Sequence, residues 1–431
     1  MSGNRLLDAL TSSNPAELDR VFGREYELNV SPAMANLDAV KRVAIFTESF
    51  FPKIDGVSKS AYLTLRYLQK TGREVLVFAP DIAPEHVGQS RIVLNPSFSL
   101  PFAPETRLAF PHWSVSRSLQ DFKPDMIHLF SPVILSAAGM MYGQRHRIPV
   151  IGNYQTDLPA YSKHYGFGYF TPVVSNWLRY VHNGCHLTLV PAQSISHQLE
   201  EQGYQRLRIW RRGVDLNRFN PAHRTEEMRA RLLNGRDPDS LLCLYVGRLA
   251  TEKRIDLLLE IARLPGVALT VVGDGATREE LETLFADTDA YFTGYLFGDE
   301  LSHAYASADA FAFPGPAETF GQVVQEAMAS GLPCIIINQG GIVDLVEHGT
   351  DGFICPDDPF AFAEAARTLR DTPTLRHVMA ANARAKAMQH PWEAIMQQLE
   401  GYYTEAVDIA QRFRQMAGPL TQWRWTADQF N

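Results

Sequence analysis

The chain has 431 residues, of which 45% are hydrophobic and 20% charged, and its formal net charge is -8. A soluble chain of this length is expected to form two domains, because one hydrophobic core rarely organises so many residues. The acidic charge balance argues against nucleic acid as a partner. The amino terminus lacks the apolar core of a signal peptide, and the longest apolar stretch, around residues 133–141, is too short to cross a bilayer. We predict a cytoplasmic location, with peripheral attachment to the inner face of a membrane as an open alternative.

Residues 1–40 are predicted to form an N-terminal extension. Apolar residues at helical spacing indicate a small amphipathic helix that packs on the first domain. These residues are Leu6, Leu7, Leu10, Leu18 and Val21.

From Lys41 onward, apolar runs typical of buried strands alternate with helical periods. The first series has predicted strands at 43–47, 75–79, 126–130, 150–154 and 187–191, with helices such as 60–71 and 194–202 between them. The second series has predicted strands at 242–247, 268–273, 290–294, 310–314 and 334–338. This alternation predicts parallel sheets with right-handed crossovers, and therefore two Rossmann-like α/β domains facing each other.

The domain boundaries are predicted from composition. The polar stretch 219–240 contains Asn-Pro and Asp-Pro turns and suits a linker. We place the N-terminal domain at 41–218 and the C-terminal domain at 219–393. Residues 394–431 are predicted to form a helix and a tail, with Trp423 and Trp425, that packs back on the N-terminal domain; an anchor in a membrane interface is the alternative.

The cysteine, histidine and acidic patterns indicate no metal site and no nucleophile. The cysteines, which are Cys185, Cys243, Cys334 and Cys355, show no paired spacing and no nearby histidine ligands, so buried thiols are expected. The acidic triplets at 237–239 and 287–289 lie in turn-like sequence and are interpreted as solvated residues. His128 lies within an apolar strand and is expected to be a core histidine.

Two acidic residues stand eight positions apart in the segment E-T-F-G-Q-V-V-Q-E at 318–326. On one helix they would lie about 80° apart and two turns along. Glu318 would stand at the helix N-terminus above the carboxyl end of a strand, where open α/β sheets bind ligands, and Glu326 would look out from the helix toward ligand hydroxyls. An acid in the first turn also stabilises the helix dipole, so this segment alone leaves both interpretations open.

Two further motifs follow the first strands of the second series. In V-G-R-L-A-T-E-K at 246–253, Arg248 and Lys253 flank a turn, and a guanidinium fork with a point charge suits a diphosphate. The alternative is that both are solvated surface charges. The turn is predicted to face Glu318 across one cleft, and this position disfavours that alternative. In V-V-G-D-G at 271–275, Gly273 and Gly275 would let the backbone approach a ligand.

The first domain has no G-x-G-x-x-G, so a dinucleotide site is not supported. Its first strand leads instead to F-F-P-K-I-D-G-V-S-K-S at 50–60, where Gly56 and Ser58 stand just before a helix. Backbone N–H groups at a helix start suit a phosphate or a developing negative charge. Lys53 and Lys59 add positive potential there, although each alone is typical of a solvated surface lysine.

The motifs at 246–253, 271–275 and 318–326, in this order and spacing, resemble the retaining glycosyltransferases of family four, also called group 1. The resemblance runs from about Lys41 to Trp392. It implies the type B glycosyltransferase fold, which has two Rossmann-like domains facing a cleft, an acceptor domain first and a nucleotide-sugar domain second. It also implies metal-independent transfer without a cofactor and with retention of anomeric configuration, by a front-face displacement in which the leaving phosphate helps to deprotonate the acceptor.

The resemblance also implies roles for individual residues. Arg248 and Lys253 would bind the donor diphosphate and stabilise its growing charge, and Glu326 would hold the nucleotide ribose. Glu318 would hold the transferred sugar. The remaining donor-binding candidates are Gly56 near the distal phosphate, Tyr295 near the base, Gly273 and Gly275, and the backbone of Thr319, Phe320 and Gly321.

One departure from the family pattern concerns Y-Q-T-D-L-P at 154–159, where many relatives carry a histidine that touches the sugar. Gln155 stands there and can hydrogen-bond a sugar hydroxyl but cannot carry a proton. Together with H-N-G-C-H-L-T-L-V-P and W-R-R-G-V-D, this stretch looks most like GDP-mannose-dependent α-mannosyltransferases, which act on phosphatidylinositol mannosides or glycolipids. The chain is also similar to sulfoquinovosyl- and glucosyl-diacylglycerol synthases, which use UDP-sugars, and that alternative stays open.

Aromatic and cationic residues alternate in 98–117 and 161–180. About half of such aromatics are expected in the core, and the rest suit a shallow surface that faces a membrane. Arg107, Arg117, Lys163 and Arg179 are the cations expected to bind anionic lipid, and Ser58 and Asp157 are further acceptor candidates. The expected partners are therefore a nucleotide-sugar donor and a lipid or glycan acceptor.

Two other classes of protein are alternatives to this prediction. A phosphorylase-like enzyme would need a pyridoxal-phosphate lysine and a much longer chain. A non-catalytic sugar-nucleotide-binding protein is disfavoured because Arg248, Lys253, Glu318 and Glu326 are all present.

Overall fold

The computed structural model describes residues 38–51, 56–100, 103–130, 132–157 and 171–416, which divide into two compact units. The first unit comprises the described residues up to Pro191, Ser196–Arg211 and those from Glu393 onward. The second comprises Ala192–Ile195 and Arg212–Trp392. The predicted amphipathic helix within residues 1–40 and the tail with Trp423 and Trp425 lie outside the described residues.

Strands and helices alternate along the first half of the chain. The strands are β1 (Arg42–Thr47), β2 (Glu74–Pro80), β3 (His86–Val87), β4 (Ser90–Asn95), β5 (Ser97–Leu100), β6 (Ala103–Ala109), β7 (Met126–Phe130), β8 (Val150–Asn153), β9 (Leu187–Val190) and β10 (Leu207–Ile209). The helices are α1 (Gly56–Lys70), α2 (Ser114–Phe122), α3 (Leu135–His146), α4 (Thr171–Asn183) and α5 (Gln193–Glu201).

The second half continues the alternation. The strands are β11 (Leu241–Val246), β12 (Val267–Val272), β13 (Tyr291–Gly294), β14 (Ala310–Phe313), β15 (Cys334–Ile337) and β16 (Gly352–Cys355). The helices are α6 (Glu226–Leu233), α7 (Leu259–Ala262), α8 (Arg278–Leu284), α9 (Gly298–Ser307), α10 (Gln322–Ala329), α11 (Pro359–Asp371), α12 (Pro373–Ala387) and α13 (Trp392–Met416).

Each unit is built on a sheet with Rossmann connectivity. The second unit has the strand order β13-β12-β11-β14-β15-β16, all parallel, which reverses direction between β11 and β14. The first has the order β10-β9-β8-β7-β1-β2-β4-β3, parallel except for the short β3, and reverses between β1 and β7. The predicted α/β class is confirmed, and each of the ten predicted strands coincides with an observed strand to within one residue at either end.

The central strands are buried on both faces because helices cover both sides of each sheet. All six residues of β11 are buried, as are all five of β7. Tyr245 and Phe313 stack in parallel with ring centroids 5.8 Å apart, which joins β11 to β14. The strand ends that follow are thereby fixed relative to each other within the second unit.

The segment 219–240 differs from its prediction as a linker. It contains α6, whose Met228, Leu232 and Leu233 are buried in the core of the second unit together with Phe219. Thr225 caps this helix by accepting a hydrogen bond from the Met228 N–H at 3.2 Å. The proline and aspartate turns on either side are typical of a linker, but the residues between them form a helix with one buried face.

Helix α13 supplies buried polar partners to the first unit. Its Glu400 forms an ion pair with Arg73 at 2.6 Å and accepts a hydrogen bond from the Tyr67 hydroxyl at 2.7 Å. Its Tyr403 hydroxyl lies 3.0 Å from Nδ1 of the buried His128. These contacts hold α13 against elements far earlier in the chain. His128 and Tyr403, for example, are 275 residues apart.

Candidate functional site

The switch point of the second unit brings three predicted residues together. The turn after β11 carries Arg248 and Lys253, and the loop after the neighbouring β14 carries Glu318. Lys253 Nζ forms an ion pair with the Glu318 carboxylate and lies 5.8 Å from the centroid of the Phe313 ring. The carboxyl edge of a parallel sheet at its switch point is the usual ligand site of such folds.

The electrostatics keep Glu318 ionised. Burial alone disfavours its charged form, but the charge and hydrogen bond of Lys253, with the charges of Arg212 and Arg248, outweigh burial and lower the pKa of Glu318. A half-buried carboxylate thus stays anionic inside a cationic cluster. The same cluster can attract a ligand that carries more than one negative charge.

No role was predicted for Arg212, which stands in the motif W-R-R-G-V-D and lies almost fully buried beside α10. Its main-chain carbonyl accepts a hydrogen bond from Gln325 Nε2 at 3.0 Å, and that of Gly213 accepts one from Gln322 Nε2 at 3.1 Å. Two glutamines of α10 thereby fix the segment that carries this cation close to the loop that carries Glu318.

Arg248 is held by a second carboxylate. Its Nη2 donates to Glu252 Oε1 at 2.5 Å, and the Glu252 side chain is only 3% exposed while that of Arg248 is 37% exposed. The Tyr245 hydroxyl donates to the Arg248 main-chain carbonyl at 3.2 Å. The turn after β11 is therefore fixed through both the side chain and the main chain of Arg248.

The loop before α10 differs from the prediction. The helix begins at Gln322, so Glu318 lies on the preceding loop and not at the helix N-terminus. Gly321, with φ of 83°, ends that loop in a left-handed conformation, and a Cβ there would overlap the Ile342 side chain. Thr319 and Phe320 are buried, and the Glu318 carbonyl accepts a hydrogen bond from the Gly341 N–H at 2.6 Å.

Glu326 does not look outward as predicted. It lies on α10 and is only 6% exposed, and the Tyr305 hydroxyl approaches its Oε2 at 3.5 Å. Burial raises the pKa of Tyr305 well above its ordinary value, and the negative charge of Glu326 raises it further. Arg218, whose guanidinium interacts electrostatically with Glu326, stacks over Phe219 at 5.2 Å. An inward carboxylate with these neighbours has a fixed orientation.

The two predicted glycines contact the protein's own backbone. A Cβ at Gly273 would overlap the carbonyl oxygen of Gly247, and one at Gly275 would overlap that of Leu249. The turns after β11 and β12 are also joined by the hydrogen bond from the Leu249 N–H to the Asp274 carbonyl at 3.0 Å. These glycines therefore let two turns close on each other, which shapes the switch point whether or not they touch a ligand.

Tyr295 lies at the end of this surface and is 54% exposed. Its hydroxyl donates to the Asp274 carbonyl at 3.0 Å, and its ring lies 5.6 Å from that of the exposed Phe297. The exposed ring is available for stacking with a flat ligand group.

The switch point of the first unit differs from this arrangement, since among its described residues a carboxylate is held by backbone N–H groups. Glu48 follows β1, and its Oε1 accepts the N–H groups of Val133, Ile134 and Leu135, at 3.2, 2.5 and 2.9 Å, at the start of α3. Burial raises the pKa of Glu48 to about 7, although these backbone donors act in the opposite direction. The helix N-terminus at this point is thus already occupied by a side chain of the protein.

The remaining predicted residues are distributed over the first unit. Gly56 is the first residue of α1, Ser58 is buried in its first turn, and Gln155 is buried just after β8. Asp157 hydrogen-bonds Tyr154, whose pKa is raised by burial first and by the Asp157 charge second. Arg179 donates to the Gln202 carbonyl at 3.0 Å and to Asn176 Oδ1 at 2.9 Å. The predicted Lys53 and Lys163 lie outside the described residues.

Comparisons with known proteins bear on this arrangement. A model of the glycosyl transferases of group 1 matches residues 227–386, and a model of Glycosyltransferase Family 4 matches residues 54–218. The chain is 38% identical over 376 residues to the GDP-mannose-dependent alpha-mannosyltransferase of Mycobacterium tuberculosis, covering 85% of this chain and 97% of that protein. It is 34% identical over 400 residues to sulfoquinovosyl transferase SQD2 of Arabidopsis thaliana, covering 90% and 78%. The chain belongs to the group 1 glycosyltransferases.

The glycosyltransferase has the predicted type B fold. Sucrose-phosphate synthase from Thermosynechococcus elongatus superposes with a TM-score of 0.69 at 20% identity, over 87% of this chain and 100% of that one. HepE of Anabaena, solved in complex with UDP, superposes with a TM-score of 0.67 at 20% identity, over 84% and 99%. Likeness at this identity shows the fold alone. Family membership makes the protein a hexosyltransferase, so the alternatives of a binding protein and a phosphorylase-like enzyme are set aside.

The structural predictions for histidine and cysteine are confirmed. His128 is fully buried between Tyr403 and Asn153, whose Oδ1 lies 3.1 Å from Nε2, and burial lowers its pKa to about 4. The four cysteines are free and buried. Within the described ranges no group of three or more histidine, cysteine and acidic side chains is arranged to hold a metal ion.

The glycosyltransferase also exposes aromatic side chains on its first unit. Phe98 and Phe110 are 46% and 42% exposed and stack with ring centroids 5.3 Å apart on the β5–β6 hairpin, and Trp113 just beyond is 70% exposed. Arg107 of this hairpin is held by Ser97 and Asp81, whereas Arg117 of α2 is exposed. In the part of the chain that the structure describes, no helix combines the length and apolarity needed to cross a membrane.

Proposed function

We propose that this glycosyltransferase transfers mannose from GDP-mannose, with retention of the α configuration and without a metal, to a lipid-linked or glycan acceptor. The observation that carries the proposal is the cluster of Lys253, Arg248 and Arg212 around the ionised Glu318 at the switch point of the second unit. Three cations around one fixed carboxylate suit a doubly charged diphosphate attached to a sugar, since cations offset the phosphate charge and the carboxylate accepts sugar hydroxyls.

The donor roles follow from the side chains on this surface. Arg248 and Lys253 bind the diphosphate and stabilise the charge that grows on the leaving phosphate. Glu318 binds the sugar, Glu326 binds the ribose, and Tyr295 stacks with the base. The backbone of the 319–321 loop supports the sugar, because Gly321 fixes its course. Gly56, Gln155, Ser58 and Asp157 stay predictions for the distal phosphate, the sugar and the acceptor.

Mannose and guanine are favoured over other sugars and bases by sequence likeness. Proteins named GDP-mannose-dependent alpha-mannosyltransferase from Mycobacterium tuberculosis, Corynebacterium glutamicum and Mycolicibacterium smegmatis are 36–38% identical to this chain. A second candidate is transfer from a UDP-sugar to a diacylglycerol, because sulfoquinovosyl transferase SQD2 is 34% identical over 90% of this chain.

The experiment that separates these candidates is turnover with GDP-mannose, UDP-glucose, UDP-glucuronate and UDP-sulfoquinovose, beside calorimetric titration with GDP and UDP. We expect GDP to bind more tightly and GDP-mannose to be hydrolysed or transferred, with no loss when EDTA is added. Preference for a UDP-sugar would move the protein to the second candidate. Full dependence on an added divalent cation would contradict the metal-independent mechanism, and NMR of the product anomer tests retention.

We further propose that the first unit binds a membrane surface through its exposed aromatics. Trp113 and the Phe98–Phe110 stack combine apolar rings with the cation Arg117, a composition that suits the interface of an anionic bilayer. The double variant W113S/R117Q should sediment several-fold less with vesicles containing anionic lipid. The matched control is F360S, which removes an aromatic 68% exposed on the second unit. Equal sedimentation of both variants and the wild type would rule out this surface.

A further inference from the structure

The turn after β11 contains a carboxylate that the proposed donor chemistry does not use. Glu252 lies in the 3₁₀ turn Thr251–Lys253, between the two cations assigned to the diphosphate, and its side chain is 3% exposed. A buried negative charge beside an anion site opposes binding of the anion, and burying it is costly unless it is paired. The position therefore calls for a function that offsets both effects.

The contact of Glu252 with Arg248 indicates that function. The two residues are four apart, and Arg248 Nη2 donates to Glu252 Oε1 at 2.5 Å. A guanidinium has N–H donors on several edges in one rigid plane, so a bond at one edge fixes the direction of the others. The Arg248 side chain is 37% exposed, so part of the guanidinium faces solvent while the edge toward Glu252 is buried.

A second pair in the same unit shows what an ordinary Arg–Glu contact looks like. Arg278 and Glu282 are also four apart, at 2.8 Å, but their side chains are 30% and 45% exposed on the surface of α8. Exposed pairs of this kind contribute little to stability. Glu252 differs in its burial and in its place at the switch point.

We propose that Glu252 is a positioning residue that aims the Arg248 guanidinium at the donor diphosphate and moderates its charge so that the nucleoside diphosphate product is released. This inference rests on the proposed role of Arg248 in donor binding. The orientation of the Arg248 guanidinium matters most in the transition state, where negative charge grows on the leaving phosphate. The partial neutralisation of its positive charge by Glu252 matters afterwards, when the nucleoside diphosphate product carries its full charge and must dissociate.

The two parts of this role predict opposite effects on binding and on turnover. In E252Q the amide keeps the shape of the side chain but removes the negative charge, so GDP or UDP should bind no more weakly than to the wild type. The rate constant kcat should fall by about 10- to 100-fold, because a misaimed group costs on that order and because product leaves more slowly. In E252D the negative charge is kept, but the side chain is one methylene shorter and does not reach Arg248 in the same geometry. We therefore expect kcat to fall while nucleotide affinity stays at the wild-type value.

The experiment compares wild type, E252Q, E252D, the matched control E282Q and R248A. It measures the Kd of GDP and UDP by calorimetry, kcat and KM with the preferred nucleotide-sugar, and the melting temperature. E282Q should match the wild type throughout. Lower kcat with undiminished nucleotide affinity in E252Q supports the proposal. Unchanged kcat in both Glu252 variants overturns it, as does a loss of nucleotide affinity equal to the loss of turnover, which is the result of a merely structural role.

Nucleotide binding by R248A distinguishes the donor-binding role of Arg248 from the positioning role of Glu252. If R248A binds GDP and UDP as the wild type does, the donor role of Arg248 fails, whatever the Glu252 variants do. If R248A loses nucleotide binding but the Glu252 variants behave as the wild type, the donor role stands and the positioning role of Glu252 fails.

Discussion

At the switch point of the first unit, Glu48 is buried against backbone N–H groups and its pKa rises to about 7, whereas at the switch point of the second unit the pKa of Glu318 is lowered. Both carboxylates follow or flank the central strands of a Rossmann sheet. The difference lies in what acts on them, because burial dominates over backbone N–H donors at Glu48, whereas the charges of Lys253, Arg212 and Arg248 outweigh burial at Glu318.

The histidines of the first unit follow the same rule as Glu48. Burial lowers the pKa of His128 to about 4, that of His182 to about 3 and that of His186 to about 4, so all three are neutral at pH 7. The first unit thus buries ionisable groups mainly by neutralising them, with the Arg73–Glu400 pair as an exception. The second unit pairs its buried and half-buried charges, as in Arg229–Asp309 and Lys386–Asp351, and one group of paired charges lies at the switch point, where a charged donor is proposed to bind.

The variant K253A is expected to have the largest effect among the tests of this contrast between Glu48 and Glu318. Removing the ammonium should lower turnover on the order of 10²- to 10³-fold, because a group that stabilises transition-state charge is lost. The pKa of Glu318 should also rise, so the acidic limb of the pH–rate profile should move to higher pH in the variant. The measurement is kcat between pH 4 and 9.

The control for this variant is R254A, on the same turn. Arg254 pairs with Asp256 and Asp357 at 3.1 and 3.0 Å and not with Glu318. Its removal should leave the acidic limb in place. A K253A profile with an unmoved acidic limb would contradict the account of Glu318.

The second prediction concerns the effect of Glu48 on the pH dependence of folding stability, tested with E48Q. Its pKa is raised from 4.5 to about 7, so the native state binds the proton more tightly than the unfolded state. The resulting stabilisation is complete below pH 4.5 and is lost as the pH rises through about 7. The wild type should therefore lose up to about 3 kcal/mol more stability between pH 4.5 and pH 8 than E48Q does.

Chemical unfolding at several pH values measures this loss. The matched control is E74Q, at the exposed start of β2, which should follow the wild-type curve. Parallel curves for the wild type and E48Q would show that Glu48 is ionised throughout, and the contrast between the two switch points would fail.

The smallest expected effect is that of Y305F. The Tyr305 hydroxyl approaches Glu326 at 3.5 Å, a long hydrogen bond, and Arg218 supports the same carboxylate electrostatically. Loss of the hydroxyl should raise KM for the donor about two- to fivefold, as expected for one modest hydrogen bond. Y402F is the control, since its hydroxyl donates to Ile209 in the first unit. An increase beyond about 100-fold would mean that Tyr305 does more than orient Glu326.

The fold was predictable from sequence because buried parallel strands leave a strong local signal. Runs such as 242–247 and 334–338 are continuously apolar, and turns separate them. Arg248 and Lys253 were predicted to face Glu318 across one cleft, whereas the structure places all three on one edge of the sheet, because β11 and β14 are neighbouring parallel strands. The helix in 219–240 lies between Pro and Asp turns that are typical of a linker, and its own sequence signal is short, since it consists of Thr225 followed by Glu226 and Glu227.

The finer site was less predictable because it depends on side-chain packing. The position of Glu318 before the helix depends on the left-handed Gly321, and its sequence signal is a lone glycine. Arg212, Arg218 and Tyr305 come from distant segments, and nothing local marks them as neighbours of Glu318 or Glu326. Glu252 is the exception, since its spacing of four from Arg248 was visible in the sequence.

The contribution of α13 to the first unit also has a consequence for biosynthesis. Glu400, the partner of the fully buried Arg73 side chain, follows it by 327 residues. At ordinary elongation rates the ribosome adds that length in roughly 15 to 65 s. The second unit is synthesised during this interval, while the first still lacks α13. A nascent chain arrested before residue 400 would therefore display an unfinished first unit to chaperones and proteases.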